Sequence, residues 1–141
     1  MKANFGLMVA GLGLLLTAAP AMAHHSFAAE YDGNKPVTLK GTVTKIDWMN
    51  PHIWVYLDVK DDNGSVTHWQ CEGGPPNSLT RNGWTKNALK IGDQVTVEGF
   101  RAKDGTNTIN SRSVKLPDGR SVFAGSADDG GPNARRAAGA Q

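Results

Sequence analysis

Apolar and polar residues alternate in short runs after residue 36, and this period of two predicts β-strands. Val37, Leu39 and Val43 share one parity, whereas Trp48 has the other. A change of parity within one strand indicates an extra residue, because successive side chains point to opposite faces. We therefore predict a β-bulge near residues 44–45 that bends the first strand.

Aliphatic side chains at alternate positions of residues 53–59 predict a second strand, whose other face carries His52, Trp54 and Tyr56. Residues 61–64, Asp-Asp-Asn-Gly, predict the hairpin turn that follows it. Asn77-Ser78 offers a helix N-cap and predicts a short helix over residues 79–84. The remaining alternating runs predict strands over residues 66–71, 94–100 and 108–116, with a short edge strand at 121–123.

This element order predicts a mainly β protein. Three strands, one short helix and two further strands are the order of the oligonucleotide/oligosaccharide-binding (OB) fold. We therefore expect a small five-stranded, partly open OB-like barrel with its helix between strands 3 and 4. A small β-sandwich or a split barrel is the alternative architecture.

The N-terminus is typical of a secretory signal peptide. Lys2 precedes an apolar run over residues 5–17, and Ala21-Met22-Ala23 fits the rule for small residues at the cleavage site. We expect cleavage after Ala23 and a soluble periplasmic or secreted protein, with an uncleaved membrane anchor as the alternative. The expected organisation is a signal peptide over residues 1–23, an extended N-terminal arm over 24–36, an OB-like domain over 37–124 and a disordered tail over 125–141.

Charge and cysteine content narrow the expected partners. Without Lys2, the mature chain keeps 14 of the 15 basic residues against 13 acidic ones, so it has no electrostatic footprint for nucleic acid. We expect a small ligand or an envelope protein as the partner, and no membrane association after cleavage. Cys71 is the single cysteine; it is a buried inert thiol, a metal ligand or a residue paired with another molecule.

Several motifs resemble a known family. They are His24-His25-Ser26-Phe27, the Gly41-Thr42-Val43 segment, Trp48-x-Asn50-Pro51-His52-x-Trp54, and Leu116-Pro117-Asp118-Gly119-Arg120. Together they resemble a family of small exported bacterial proteins that is known as a domain of unknown function. The resemblance covers roughly residues 24–123 and implies an exported OB-like domain. It implies no activity, substrate or catalytic residue.

The histidines are candidate copper ligands. Cleavage after Ala23 makes His24 the N-terminal residue, so its amine and imidazole could chelate copper with His52 as third ligand, in the arrangement called a histidine brace. His25 could instead chelate through the terminal amine and the intervening amide. Alternatively, His24 and His25 belong to a soluble leader segment, and His52 hydrogen-bonds backbone groups of the turn. The carboxylates that could hold the other ring nitrogen of a ligating histidine are Glu30, Asp47 and Asp58.

Trp54, Tyr56 and Trp84 could form an aromatic platform for a sugar or a base, or they could fill the core. The sequence has no Ser-His-Asp arrangement, phosphate loop, HExxH or CxxC motif. We therefore favour a periplasmic, non-enzymatic binding or interaction domain of unknown ligand. The alternatives are a copper-binding protein, for metal handling or redox chemistry, and a structural partner in an envelope assembly.

Overall fold

A computed structural model describes residues 26–125. The expected signal peptide, His24, His25 and residues 126–141 of the expected tail lie outside the described residues. Within residues 26–125, no helix is both long enough and apolar enough to cross a membrane.

The protein is mainly β, as the alternating pattern predicted. It contains two short helices and six strands between residues 26 and 125. In chain order they are α1 (Phe27–Glu30), β1 (Tyr31–Asp47), β2 (Trp54–Lys60), β3 (Val66–Glu72), α2 (Pro76–Arg81), β4 (Gln94–Ala102), β5 (Thr108–Lys115) and β6 (Ser121–Phe123).

The first five strands form a closed ring of pairings in the order β1-β2-β3-β5-β4-β1. All neighbours in this ring are antiparallel except β3 and β5, which pair in parallel over Gln70–Glu72 and Thr108–Asn110. The edge strand β6 adds antiparallel to β5. This order, with α2 between β3 and β4, confirms the predicted OB-like fold class.

The long strand β1 takes part in both sides of the ring because it is bent by the predicted bulge. Its first part pairs with β4 and its last part with β2. Val43 lies opposite Leu57, yet Lys45 lies opposite Tyr56, so Thr44 is the extra residue of the bulge. The bulge predicted from the parity change is confirmed.

Two elements differ from the sequence prediction. Helix α2 begins at Pro76, three residues before the predicted start, because proline has the backbone φ and the missing N–H that suit a first helical turn. Strand β1 begins at Tyr31 rather than Val37, and α1 forms one helical turn in the segment expected to be extended. Tyr31 pairs with Ala102 across an irregular stretch that shows no alternation, so the pattern gave no sign of this pairing.

The core lies inside the ring and takes the aliphatic face of every strand. Ile53, Val97 and Ile109 are fully buried, and Trp84 fills the space beneath α2 with an exposed fraction of 2%. Trp48 is partly buried against this core and meets the Trp84 ring edge-on, with centroids 6.2 Å apart. Trp48 therefore packs inward, directly after the end of β1.

Gly99 marks the closest approach between β4 and β5. A Cβ atom at this position would lie 2.2 Å from the backbone oxygen of Asn110, at an irregularity in the pairing between Glu98 and Gly99. Glycine in a strand interior is typical of such a close approach.

We expect Gly99→Ala to lower the free energy of unfolding by about 1–3 kcal/mol, because β5 must move to admit the methyl group. Urea unfolding followed by circular dichroism measures this loss. Lys40→Ala, an exposed change on the neighbouring strand, is the control and should have little effect. Equal stability of the two variants would show that β4 and β5 are not closely packed here.

Candidate functional site

Backbone bonds to the segment after β3 fix the corner between β1 and β2. The corner contains the cis peptide bond Asn50-Pro51. The N–H of Ile53 donates to the oxygen of Gly74 at 3.2 Å, and the N–H of Gly73 donates to the oxygen of Ile53 at 2.9 Å. Because Ile53 is fully buried, His52 is held at the surface with its side chain 28% exposed.

The carboxylate of Glu72, at the end of β3, joins segments that are distant in sequence. Its Oε1 lies 2.5 Å from Nδ1 of His52, and its Oε2 accepts a hydrogen bond from the Tyr31 hydroxyl. The Asn110 side chain is also hydrogen-bonded to it. The strand register explains this convergence, since Glu72 lies opposite Trp54 on β2 and opposite Asn110 on β5. Glu72 itself is buried, with an exposed fraction of 7%.

Electrostatics decide which atoms carry protons in this network. Burial raises the pKa of Glu72, but the hydrogen bonds from His52 and Tyr31 outweigh it and bring the net pKa below its ordinary value. The carboxylate is therefore ionised at neutral pH and can only accept hydrogen bonds. Nδ1 of His52 must then carry the proton. Burial and the Glu72 carboxylate raise the pKa of Tyr31 well above its ordinary value, so its hydroxyl remains a donor.

An outer cluster outside the strand ring lies beside the network. Phe27 of α1, Tyr31 and Ala102 are its buried members, and Phe100 packs against them. The Phe27 ring centroid lies 5.9 Å from that of Tyr31 and 5.5 Å from that of Phe100. The buried guanidinium of Arg112 lies 4.9 Å from the Phe27 ring centroid. The outer cluster therefore anchors the first described residues next to the tyrosine that binds Glu72.

The three residues of the expected aromatic platform do not share a surface. Trp84 is 2% exposed and belongs to the core, so it cannot present a ring face to a ligand. Trp54 and Tyr56 are both partly exposed and lie on the outer face of β2. Nζ of Lys45 lies 4.8 Å from the Tyr56 ring centroid and covers that ring. Of the three residues, Trp54 is the one that lines a groove.

His52 and His68 lie toward opposite ends of the β2–β3 hairpin. Nδ1 of the exposed His68 is 2.5 Å from Oδ1 of Asp58, so Asp58 holds His68 rather than His52. Asp47 is bonded at 2.7 Å to the ammonium group of a lysine two residues earlier. The carboxylate on His52 is instead Glu72, which the sequence did not single out.

The other candidate metal ligands are Cys71, His24 and His25. Cys71 is buried in the core, and burial raises the pKa of its thiol to about 12. Cys71 is therefore a buried, inert thiol and not a metal ligand or a residue paired with another molecule. Within residues 26–125, no group of three or more His, Cys, Asp or Glu residues could hold a metal ion. The predicted ligands His24 and His25 lie outside that range.

The sequence profile of a family of unknown function (DUF6152) matches residues 12–111. The chain belongs to this family. The match confirms the resemblance to a domain of unknown function and covers every element from α1 to β4 and the first half of β5. The family description names no ligand or activity. Searches of the curated proteins and of the solved structures each returned no match.

We expect Tyr31→Phe to lower the free energy of unfolding by about 1–3 kcal/mol, because a buried carboxylate loses one of its donors. Tyr56→Phe is the matched control: its hydroxyl is bonded to Asp47 near the surface, so its loss should cost under about 0.5 kcal/mol. Urea unfolding at neutral pH compares the two. A cost for Tyr31→Phe no larger than that for Tyr56→Phe would contradict the role given to this bond.

Proposed function

We propose that the protein is an exported, non-enzymatic binding protein of the periplasm whose ligand is copper. His52 supplies one imidazole nitrogen. The mature N-terminal residue His24, formed by cleavage after Ala23, supplies its amine and imidazole, and His25 is an alternative ligand at the same end. A copper site of nitrogen ligands is the chemistry that this set of donors favours.

The hydrogen bond between His52 and Glu72 is the observation that carries the proposal. Histidines that bind metals commonly donate their other ring N–H to a carboxylate, which fixes the ring and makes the coordinating nitrogen more basic. Here Glu72 holds Nδ1 at 2.5 Å, and Nε2 is the ring nitrogen that we propose as the copper ligand. A partly exposed ring on a buried carboxylate suits a metal ligand better than a histidine that merely caps a turn.

The position of the first described residues also supports the proposal. Phe27 is buried in the outer cluster and stacks on Tyr31, which is bonded to the same carboxylate as His52. Only His25 separates His24 from Ser26, and an extended chain spans about 3.3–3.6 Å per residue. The proposed N-terminal ligand is thus three positions before Phe27, which is anchored beside the network that orients His52.

Cu(II) titration of mature protein with an authentic His24 N-terminus tests the proposal. We expect His52→Ala and His24→Ala each to weaken binding at least about tenfold, because each removes an imidazole ligand. Glu72→Gln should weaken it about 10–100-fold, because Nδ1 loses the carboxylate. Competition against a chelator of known affinity gives the constants.

His68→Ala is the matched control, since His68 is exposed at the far end of the hairpin and bonded to Asp58. It should leave Cu(II) affinity unchanged. If His52→Ala and His24→Ala also leave the affinity unchanged, copper is not held in this way. Thermal unfolding of every variant without metal separates lost ligands from lost structure.

A further inference from the structure

A groove of about 560 Å³ opens beside the Glu72 network, between α1 and the loop that joins β4 to β5. This volume lies within the range of about 300–1,000 Å³ that is usual for small-molecule sites. Trp54 and Tyr31 contribute aromatic rings to its lining. The polar lining residues are Glu30, Lys103, Asp104, Thr106 and Thr108.

The walls of the groove are tied together before any ligand binds. The backbone N–H of Lys103 donates to the oxygen of Glu30 at 2.8 Å, and its ammonium group donates to the oxygen of Ala28 at 2.6 Å. Within the loop, Asp104 accepts hydrogen bonds from the backbone N–H and the hydroxyl of Thr106 at 2.9 and 2.7 Å. A wall that is already ordered loses less conformational entropy when a ligand binds, so binding is less unfavourable in entropy.

The charges of the lining exclude one class of ligand. Hydrogen bonds from Thr106 lower the pKa of Asp104, so this carboxylate is ionised at neutral pH. Asp104, Glu30 and Glu72 all act electrostatically on the Tyr31 hydroxyl. The single lysine of the groove already donates to a backbone oxygen. The Lys103 ammonium group keeps its positive charge, but the three carboxylates outnumber it, so the net charge around the groove is negative and disfavours an anionic ligand.

The lining instead combines a flat apolar surface with groups that bond hydroxyls. Its lining includes the partly exposed Trp54 and the hydroxyl-bearing residues Thr106 and Thr108, whose hydroxyls lie 3.0 Å apart. The Asp104 carboxylate adds an acceptor. Sugar rings match this combination, since they have an apolar C–H face and a rim of hydroxyls.

We propose that this groove binds a neutral saccharide of one to three rings, with a C–H face of one ring against the indole of Trp54. The threonine hydroxyls form hydrogen bonds with its hydroxyl rim, and the Asp104 carboxylate accepts hydrogen bonds from it. This site is separate from the proposed copper ligands and does not depend on them.

Isothermal titration calorimetry of the mature protein in EDTA tests the proposal with maltotriose, cellotriose and chitotriose. EDTA removes copper, so failure of the copper proposal does not affect the outcome. We expect saturable binding of at least one of them. Trp54→Ala should weaken it at least about tenfold, and Thr108→Val, which keeps the shape but removes a hydroxyl, about two- to tenfold.

Tyr56→Ala is the control, because Tyr56 lies on the same face of β2 but does not line the groove. It should bind as the parent protein does. The proposal fails if none of the three trisaccharides binds, if tetramethylammonium or trigalacturonate binds in their place, or if Tyr56→Ala loses as much affinity as Trp54→Ala. Thr108→Val keeps the test decisive if Trp54→Ala does not fold.

Discussion

The described structure depends on one buried carboxylate. Glu72 is ionised although only 7% of its surface is exposed. A buried charge is tolerated only when hydrogen bonds replace those that water would make. Tyr31 and His52 supply those bonds from the N-terminal segment and from the β1–β2 corner. The same bonds that stabilise the ionised form of Glu72 therefore tie α1 and the corner to the end of β3.

Two parts of the molecule take their positions from this network. The outer cluster packs Phe27 on Tyr31, so the first described turn lies against the strand ring rather than away from it. The groove forms where the β4–β5 loop bonds back to that turn through Lys103. The proposed copper ligand His52 and the groove residue Tyr31 thus bind the same carboxylate.

Much of the fold could be predicted from the sequence because it follows local patterns. The parity change after Val43 marked the bulge, and alternation marked the strands. The site could not be found in the same way, because Tyr31 and Glu72 are 41 residues apart. Placing Glu72 beside His52 requires the hairpin register that pairs Trp54 with Glu72. A slip of one residue would turn Glu72 to the other face, and the turn sequence does not exclude that slip.

The protonation of the His52 ring tests the central role of Glu72 most directly. A long-range ¹H–¹⁵N spectrum of metal-free mature protein, recorded where the ring is neutral, distinguishes the two tautomers. The proton should be on Nδ1 in the parent protein, because an ionised Glu72 can only accept. In Glu72→Gln, this preference should weaken or disappear. A proton on Nε2 in the parent protein, or an unchanged His52 spectrum in Glu72→Gln, would contradict the role of Glu72.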